Sequence, residues 1–227
     1  MFGKTCATLA AMVLIAMPGS LLAAGEPVPT DLLFKLRQLD LVEKGAEVIY
    51  KFERKASDEV RLGLSFADDI RVGVTKVGDK GEREVTLNIF SGDRAHDKQN
   101  YPDLTINPIF LWYLDRTVAS FSQLTGASPP YLKGKFRSMF DEKGKVEAIK
   151  ADFGGNSVNA YRITVTPYAG DPSAAKMRGY DQSSFAFVVS DAVPGYFLGM
   201  DAVYESKNKD TPRLEEHLAI VGKGESK

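Results

Sequence analysis

Ser173-Ala174-Ala175-Lys176 places a hydroxyl and an amine three residues apart. A lysine held near a serine in this way can help to deprotonate it and make it a nucleophile. The companion Ser-Asp-Asn and Lys-Thr-Gly motifs are missing, and the stretch follows Gly170-Asp171-Pro172 in an expected loop. Its plainer reading is a turn within a connection. Asp93, His96 and Asp97 supply oxygen and nitrogen donors of the kind that hold a divalent metal, but Arg94 and Lys98 beside them oppose binding. A solvated loop accounts for them as well. The second histidine, His217, falls between Glu216 and Leu218 in an alternating stretch and reads as a surface strand residue. No His-Glu-x-x-His, Gly-x-Ser-x-Gly, P-loop or dinucleotide glycine fingerprint occurs. No residue is assigned to catalysis or to a metal, and no cofactor is implied.

The remaining chemistry is apolar. Phe110, Trp112, Tyr113, Phe121, Tyr131 and Phe136 form an aromatic group that suits a hollow for a hydrophobic ligand. A filled core explains the same residues. Tyr113 and Tyr131 carry hydroxyls that need partners if buried, which favours a rim position for both.

Helices must position this group. Asn107 suits an N-cap, Pro108 the first helical position and Gly126 the end, enclosing Ile109 to Leu114, apolar on every side. A segment of that kind is expected to be buried on every side. Val118, Phe121 and Leu124 continue it as an amphipathic half. Ser128-Pro129-Pro130 starts a second helix, with a stripe of Leu132, Phe136, Met139 and Phe140. A short N-terminal helix over 32–39 follows a cap at Thr30 or Asp31 and stops by Gly45.

Elsewhere the apolar period is two. Val48, Tyr50 and Phe52, then Leu62, Leu64 and Phe66, then Ile70, Val72 and Val74, then Val85, Leu87 and Ile89 give four antiparallel strands with one wet face. Arg61-Leu62-Gly63-Leu64-Ser65 echoes Arg71-Val72-Gly73-Val74-Thr75. Paired as a hairpin, they would put two glycines on the face away from the apolar side chains, marking curvature or a docking face. Five more strands follow over 146–153, 160–167, 185–190, 196–204 and 214–221. Val193-Pro194-Gly195 reads as a type II turn between two of them. The fold class is therefore α+β, mostly β: a curved antiparallel sheet of about nine strands, a half-barrel wrapped around a central apolar helix. A second helix and the short N-terminal one complete it.

Residues 1–24 read as a secretory signal: Lys4, an apolar run over 7–16, a break at Pro18-Gly19-Ser20 and a small-residue cleavage site in Leu21-Leu22-Ala23-Ala24-Gly25. The single cysteine, Cys6, lies inside it, so the mature chain is expected to carry no thiol. That suits an oxidising compartment, with a bacterial periplasm favoured. About 203 residues remain, read as one β-rich domain over 25–227 with a polar tail from Lys223. Without Lys4 there are 28 Lys and Arg against 30 Asp and Glu, a net charge near −2. This balance argues against non-specific nucleic-acid binding. No further apolar run is long enough to span a bilayer.

The order of elements resembles the periplasmic lipoprotein-carrier (LolA-like) fold, an open β-half-barrel closed by helices. The resemblance covers most of the mature chain and rests on element order and exported context. No functional residue is carried over. It implies an apolar hollow that holds acyl chains.

Three functions follow as expectations. One is an exported, non-enzymatic protein binding a lipid or acyl chain. A second is a structural or interaction protein of the cell envelope with a filled core and a protein partner. The third is a hydrolase using Ser173 and Lys176.

Overall fold

A computed structural model describes residues 27–35 and 37–225. The signal segment and Cys6 lie outside the described residues. Nine strands form one antiparallel sheet in the order β4-β3-β2-β1-β9-β8-β7-β6-β5. They are β1 (Ala46–Ala56), β2 (Phe66–Val77), β3 (Arg83–Ile89), β4 (Gln99–Leu104), β5 (Lys145–Phe153), β6 (Asn156–Val165), β7 (Ser184–Val189), β8 (Phe197–Tyr204) and β9 (Leu214–Glu225). β9 lies between β1 and β8 and joins the two halves of the sheet; β4 and β5 are its free edges, so the barrel stays open.

Among the described residues there are four α-helices: α1 (Pro29–Leu33), α2 (Glu59–Leu62), α3 (Pro108–Thr125) and α4 (Pro129–Lys143). The connection from β4 to β5 runs from one sheet edge to the other, and α3 and α4 lie on it. This connection crosses the concave face, where Phe110 of α3 is buried against Phe187 and Phe197 of the sheet. The caps are as the sequence implies. Asn107 Oδ1 accepts from the Ile109 N–H at 3.1 Å, and Gly126 ends α3 at φ 78°.

Alternation sets which side chains meet α3. Val48, Tyr50 and Phe52 of β1, Val72 and Val74 of β2, and Phe185, Phe187, Phe197 and Met200 of the far half are all buried on the concave face. Phe110 stacks on Phe197 at 5.0 Å between ring centroids and meets Phe187 edge-on. Gly195 ends the Val193-Pro194-Gly195 turn between β7 and β8 at φ 78°. A Cβ there would stand 2.7 Å from the Tyr50 hydroxyl, so both conformation and space require glycine.

The structure corrects the sequence reading in five places. The N-terminal helix is Pro29–Leu33 rather than 32–39: the Phe34 N–H closes on the Thr30 carbonyl, and Arg37 at φ 72° turns the chain away. The strand expected through Leu62 and Leu64 is instead α2 and a bend at Gly63 (φ 85°). The hairpin between 61–65 and 71–75 therefore does not form. Asp58 caps α2 through the Arg61 N–H, and this local bond overrides a three-residue alternation. β4 was not expected, because Pro102 and Asp103 (φ 53°) interrupt any period; such a strand is tolerated at an edge. The polar stretch from Lys223 to Glu225 continues β9, paired with Ala46–Val48 of β1. Finally, the apolar first half of α3 is not buried all round: Leu111 is 46% exposed.

Candidate functional site

The exposure of Leu111 marks an open groove beside α3. α3 carries two apolar faces. Phe110, Tyr113, Phe121 and Leu124 point into the sheet and are buried. Leu111, Leu114 and Val118, at i, i+3 and i+7, point the other way. They form one wall of a groove of about 970 Å³. Phe136 and Phe140 of α4 form the second wall and Phe34, after α1, the third. Phe34 meets Phe110 and Phe140 edge-on at 5.4 and 6.0 Å, and remains 43% exposed. The groove is thus apolar and open to water.

α1 can serve as a wall because its neighbours fix it. Leu33 is fully buried, and Pro29 lies so close to Gly144 that a Cβ there would be 2.6 Å from Pro29 Cγ. Lys35 reaches Asp191 in the β7–β8 turn, with Nζ 2.9 and 2.8 Å from the two carboxylate oxygens. At the rim, Lys133 of α4 and Asp115 of α3 pair at 2.7 Å, and Asp31 stands on α1. Charges at the mouth over an apolar floor suit an amphiphile: a chain buries its methylenes and leaves its polar end in water.

Of the six aromatics expected to line a ligand site, Phe136 is on the groove wall. Phe110 and Phe121 pack inside the sheet, Phe121 stacked on Tyr168 at 4.3 Å. Tyr113 is fully buried rather than at a rim, its hydroxyl donating to the Glu216 carbonyl at 2.7 Å. Trp112 is half-buried between Phe52 and Phe90 at the end of the sheet. Tyr131 lines a separate hollow of about 220 Å³ near Ser173 and Lys176. Sequence reasoning missed Phe34, Phe140, Leu111, Leu114 and Val118 as site residues. The last three carried a signal, the second apolar face of α3, which cannot face the sheet together with Phe110.

The other candidates are dispersed. Ser173 precedes a single 3-10 turn, Ala174–Lys176, and no hydrogen bond joins its hydroxyl to the exposed Lys176 amine among the described residues. Ser173 serves the loop instead: its N–H donates to Asp171 Oδ1 at 2.7 Å. The buried Asp171 also receives the Tyr131 hydroxyl, and the Lys135 ammonium lies 2.8 Å from its other oxygen. Desolvation works against this carboxylate's charge, but Lys135, Tyr131 and the Ser173 N–H outweigh it and hold its pKa down to about 2. Asp93, His96 and Asp97 are exposed around a 3-10 turn. No group of three or more metal-ligating side chains is assembled among the described residues. His217, on β9, bridges Asp201 and Glu215. Among the described residues no helix is long and apolar enough to cross a membrane.

No protein-family model and no curated protein matches the chain. Among solved structures it is similar to the lipoprotein LppX of Mycobacterium tuberculosis, at 12% identity and a TM-score of 0.33, covering 83% of this chain and 92% of that one. It is also similar to a LolA superfamily protein of Nitrosomonas europaea, at 10% identity and a TM-score of 0.24, covering 89% and 95%. At these identities and scores neither likeness carries an argument about this chain's superfamily or ligand.

Proposed function

We propose that this protein is an exported, non-enzymatic binder of a lipid or acyl chain, which it holds in the groove between α1, α3 and α4. The observation that carries this reading is the groove: about 970 Å³ walled by Phe34, Leu111, Leu114, Val118, Phe136 and Phe140. Soluble domains seldom leave large apolar side chains around an open hollow without a use for it. Export rests on the signal-like residues 1–24. The side chains between α3 and the sheet are buried and packed on one another, so the ligand lies against the helices and not under them.

Organic extraction and mass spectrometry of the purified protein, followed by titration of the stripped protein with long-chain lipids, test this. Chain-bearing molecules should be recovered, and Leu111→Arg should abolish their uptake while the fold persists, since Leu111 is already half in water. If the stripped protein takes up no chain, the reading fails.

One observation favours a second reading, an envelope interaction protein. Val60 and Leu64 on the β1–β2 connection are 98% and 74% exposed. Arg54 donates to the Leu62, Gly63 and Leu64 carbonyls and holds that connection in place. In-cell cross-linking from position 60 should then capture one dominant protein.

A further inference from the structure

We propose that a second site binds a phosphoryl group: the hollow of about 210 Å³ where Arg61 of α2 and Arg178 of the β6–β7 connection converge. It shares no lining residue with the groove, so it stands whether or not the groove takes a chain.

Four segments distant in sequence meet here. α2 brings Arg61, the last turn of α3 brings Gln123, the β8–β9 connection brings Thr211, and Arg178 follows the Ala174–Lys176 turn. Among the described residues the lining carries two arginines and no carboxylate. Each guanidinium has five N–H donors and leaves most of them free. Arg178 donates to the Leu124 carbonyl at 3.4 Å and has no ion pair among the described residues. The Arg61 side chain donates to the Asp210 carbonyl at 3.4 Å. Among the described residues it pairs only with Asp58, at a long Nε–Oδ2 distance of 4.0 Å. The Gln123 amide and the Thr211 hydroxyl also lack a hydrogen bond among the described residues.

The backbone fixes the direction in which Arg178 leaves the chain. It stands at φ 51°, a left-handed conformation that a long side chain adopts at a cost, and Gly179 follows at φ 86°. The Ser206 hydroxyl donates to the Arg178 carbonyl at 3.1 Å and the Lys207 N–H to the Gly179 carbonyl at 3.2 Å, which holds this turn. Burial raises the Tyr180 pKa, and both guanidiniums lie close enough to its hydroxyl to offset part of that rise. Two planar forks on one hollow suit the several oxygens of a phosphoryl group. A hollow of this size takes that group and not a whole lipid. The adjoining hollow adds Lys209 but also Asp58 and Asp210, which confines the anion to the side of Arg178. Both arginines are exposed, so binding is of modest strength and falls with salt.

NMR of the Arg61 and Arg178 side-chain Nε–Hε resonances, during titration with inorganic phosphate at fixed ionic strength, tests this. Both should shift together and saturate, while sodium chloride at the same ionic strength leaves them in place. Arg61→Gln or Arg178→Gln, read from the backbone amides of the site, should weaken phosphate affinity about tenfold. The proposal is overturned if neither resonance has moved by about 20 mM phosphate. It is equally overturned if chloride moves them as far, or if the variant with both arginines replaced binds as the wild type does. Glycerol phosphate and vesicles of phosphatidylcholine with or without phosphatidic acid then read the source of the group. Arginine-dependent binding of glycerol phosphate alone assigns a soluble phosphomonoester. Arginine-dependent sedimentation with the phosphatidic acid vesicles assigns a lipid head group.

Discussion

Arg116 on α3 places its Nη2 2.8 Å from Oε1 of Glu216 on β9, a carboxylate with no exposure at all. Arg54 of β1 stands 3.6 Å from the same oxygen, Ser120 donates to the other at 3.0 Å, and the Tyr204 hydroxyl lies 3.2 Å from it. With the Tyr113 bond to the Glu216 carbonyl, one residue at the middle of the sheet receives the whole central helix. The apolar contacts that surround it are non-directional; these polar bonds specify how far α3 sits along the trough.

Glu216→Leu should therefore be severe. It leaves two guanidinium groups near each other in a site where the anion between them is gone, and removal of one partner from such a site costs about 3–5 kcal/mol. Arg116→Met should cost less, because Arg54 still balances Glu216 and Arg116 is partly exposed. Combining Glu216→Leu with Arg116→Met should restore part of the loss. Denaturant unfolding of the three variants gives the coupling directly.

Asp171 makes the acid limb of stability predictable. Its folded pKa, about 2, lies below its ordinary 3.8. A depressed carboxylate contributes stability that is complete above the unfolded value and is lost as pH falls through the folded one. Asp171→Asn should thus lower the Tm at neutral pH, and the difference from wild type should fade between about pH 4 and pH 2. Thermal melts across that window check it. A difference that stays constant to pH 2 would mean that the clamp between α4 and the 171–173 loop is not electrostatic.

Caps and alternation made most of this fold legible. Asn107, Pro108 and Gly126 bound α3 to within a residue, and the alternations at 48–52, 70–74 and 85–89 became β1, β2 and β3. Two kinds of feature were hidden. Short segments governed by a local bond, such as α2 under its Asp58 cap, show an alternation too brief to mean anything. The groove was hidden for a different reason. An apolar helix face says that water is excluded from it, not what excludes the water; Phe110 and Leu111 are adjacent and equally apolar, yet one meets Phe197 and the other an open hollow.

The Tyr168 hydroxyl is buried with no hydrogen-bond partner among the described residues, and burial pushes its pKa far up. A buried donor left unpaired costs about 1–3 kcal/mol, whereas the ring still stacks on Phe121 whether or not the oxygen is there. Tyr168→Phe should accordingly be neutral or stabilising, by up to about 1 kcal/mol, in chemical denaturation. A loss of stability would reveal that the hydroxyl has a partner in solution.

His217 gives the opposite pH dependence from Asp171. Burial of the ring disfavours its charge, but its nitrogens lie 2.8 Å from Asp201 and 3.1 Å from Glu215, and these contacts raise its pKa above the usual 6.5. Glu53 opposite it on β1 adds to the negative surroundings, and Lys55 near Glu215 tempers them. A raised histidine pKa contributes stability that is complete below about pH 6.5 and is lost as pH rises through the folded value. His217→Gln should lower the Tm by about 2 °C or more at pH 5.5 and by less at pH 9. The variant retains a polar side chain of similar reach, so a pH-independent loss would point to packing on the β8–β9 pair and not to the imidazolium.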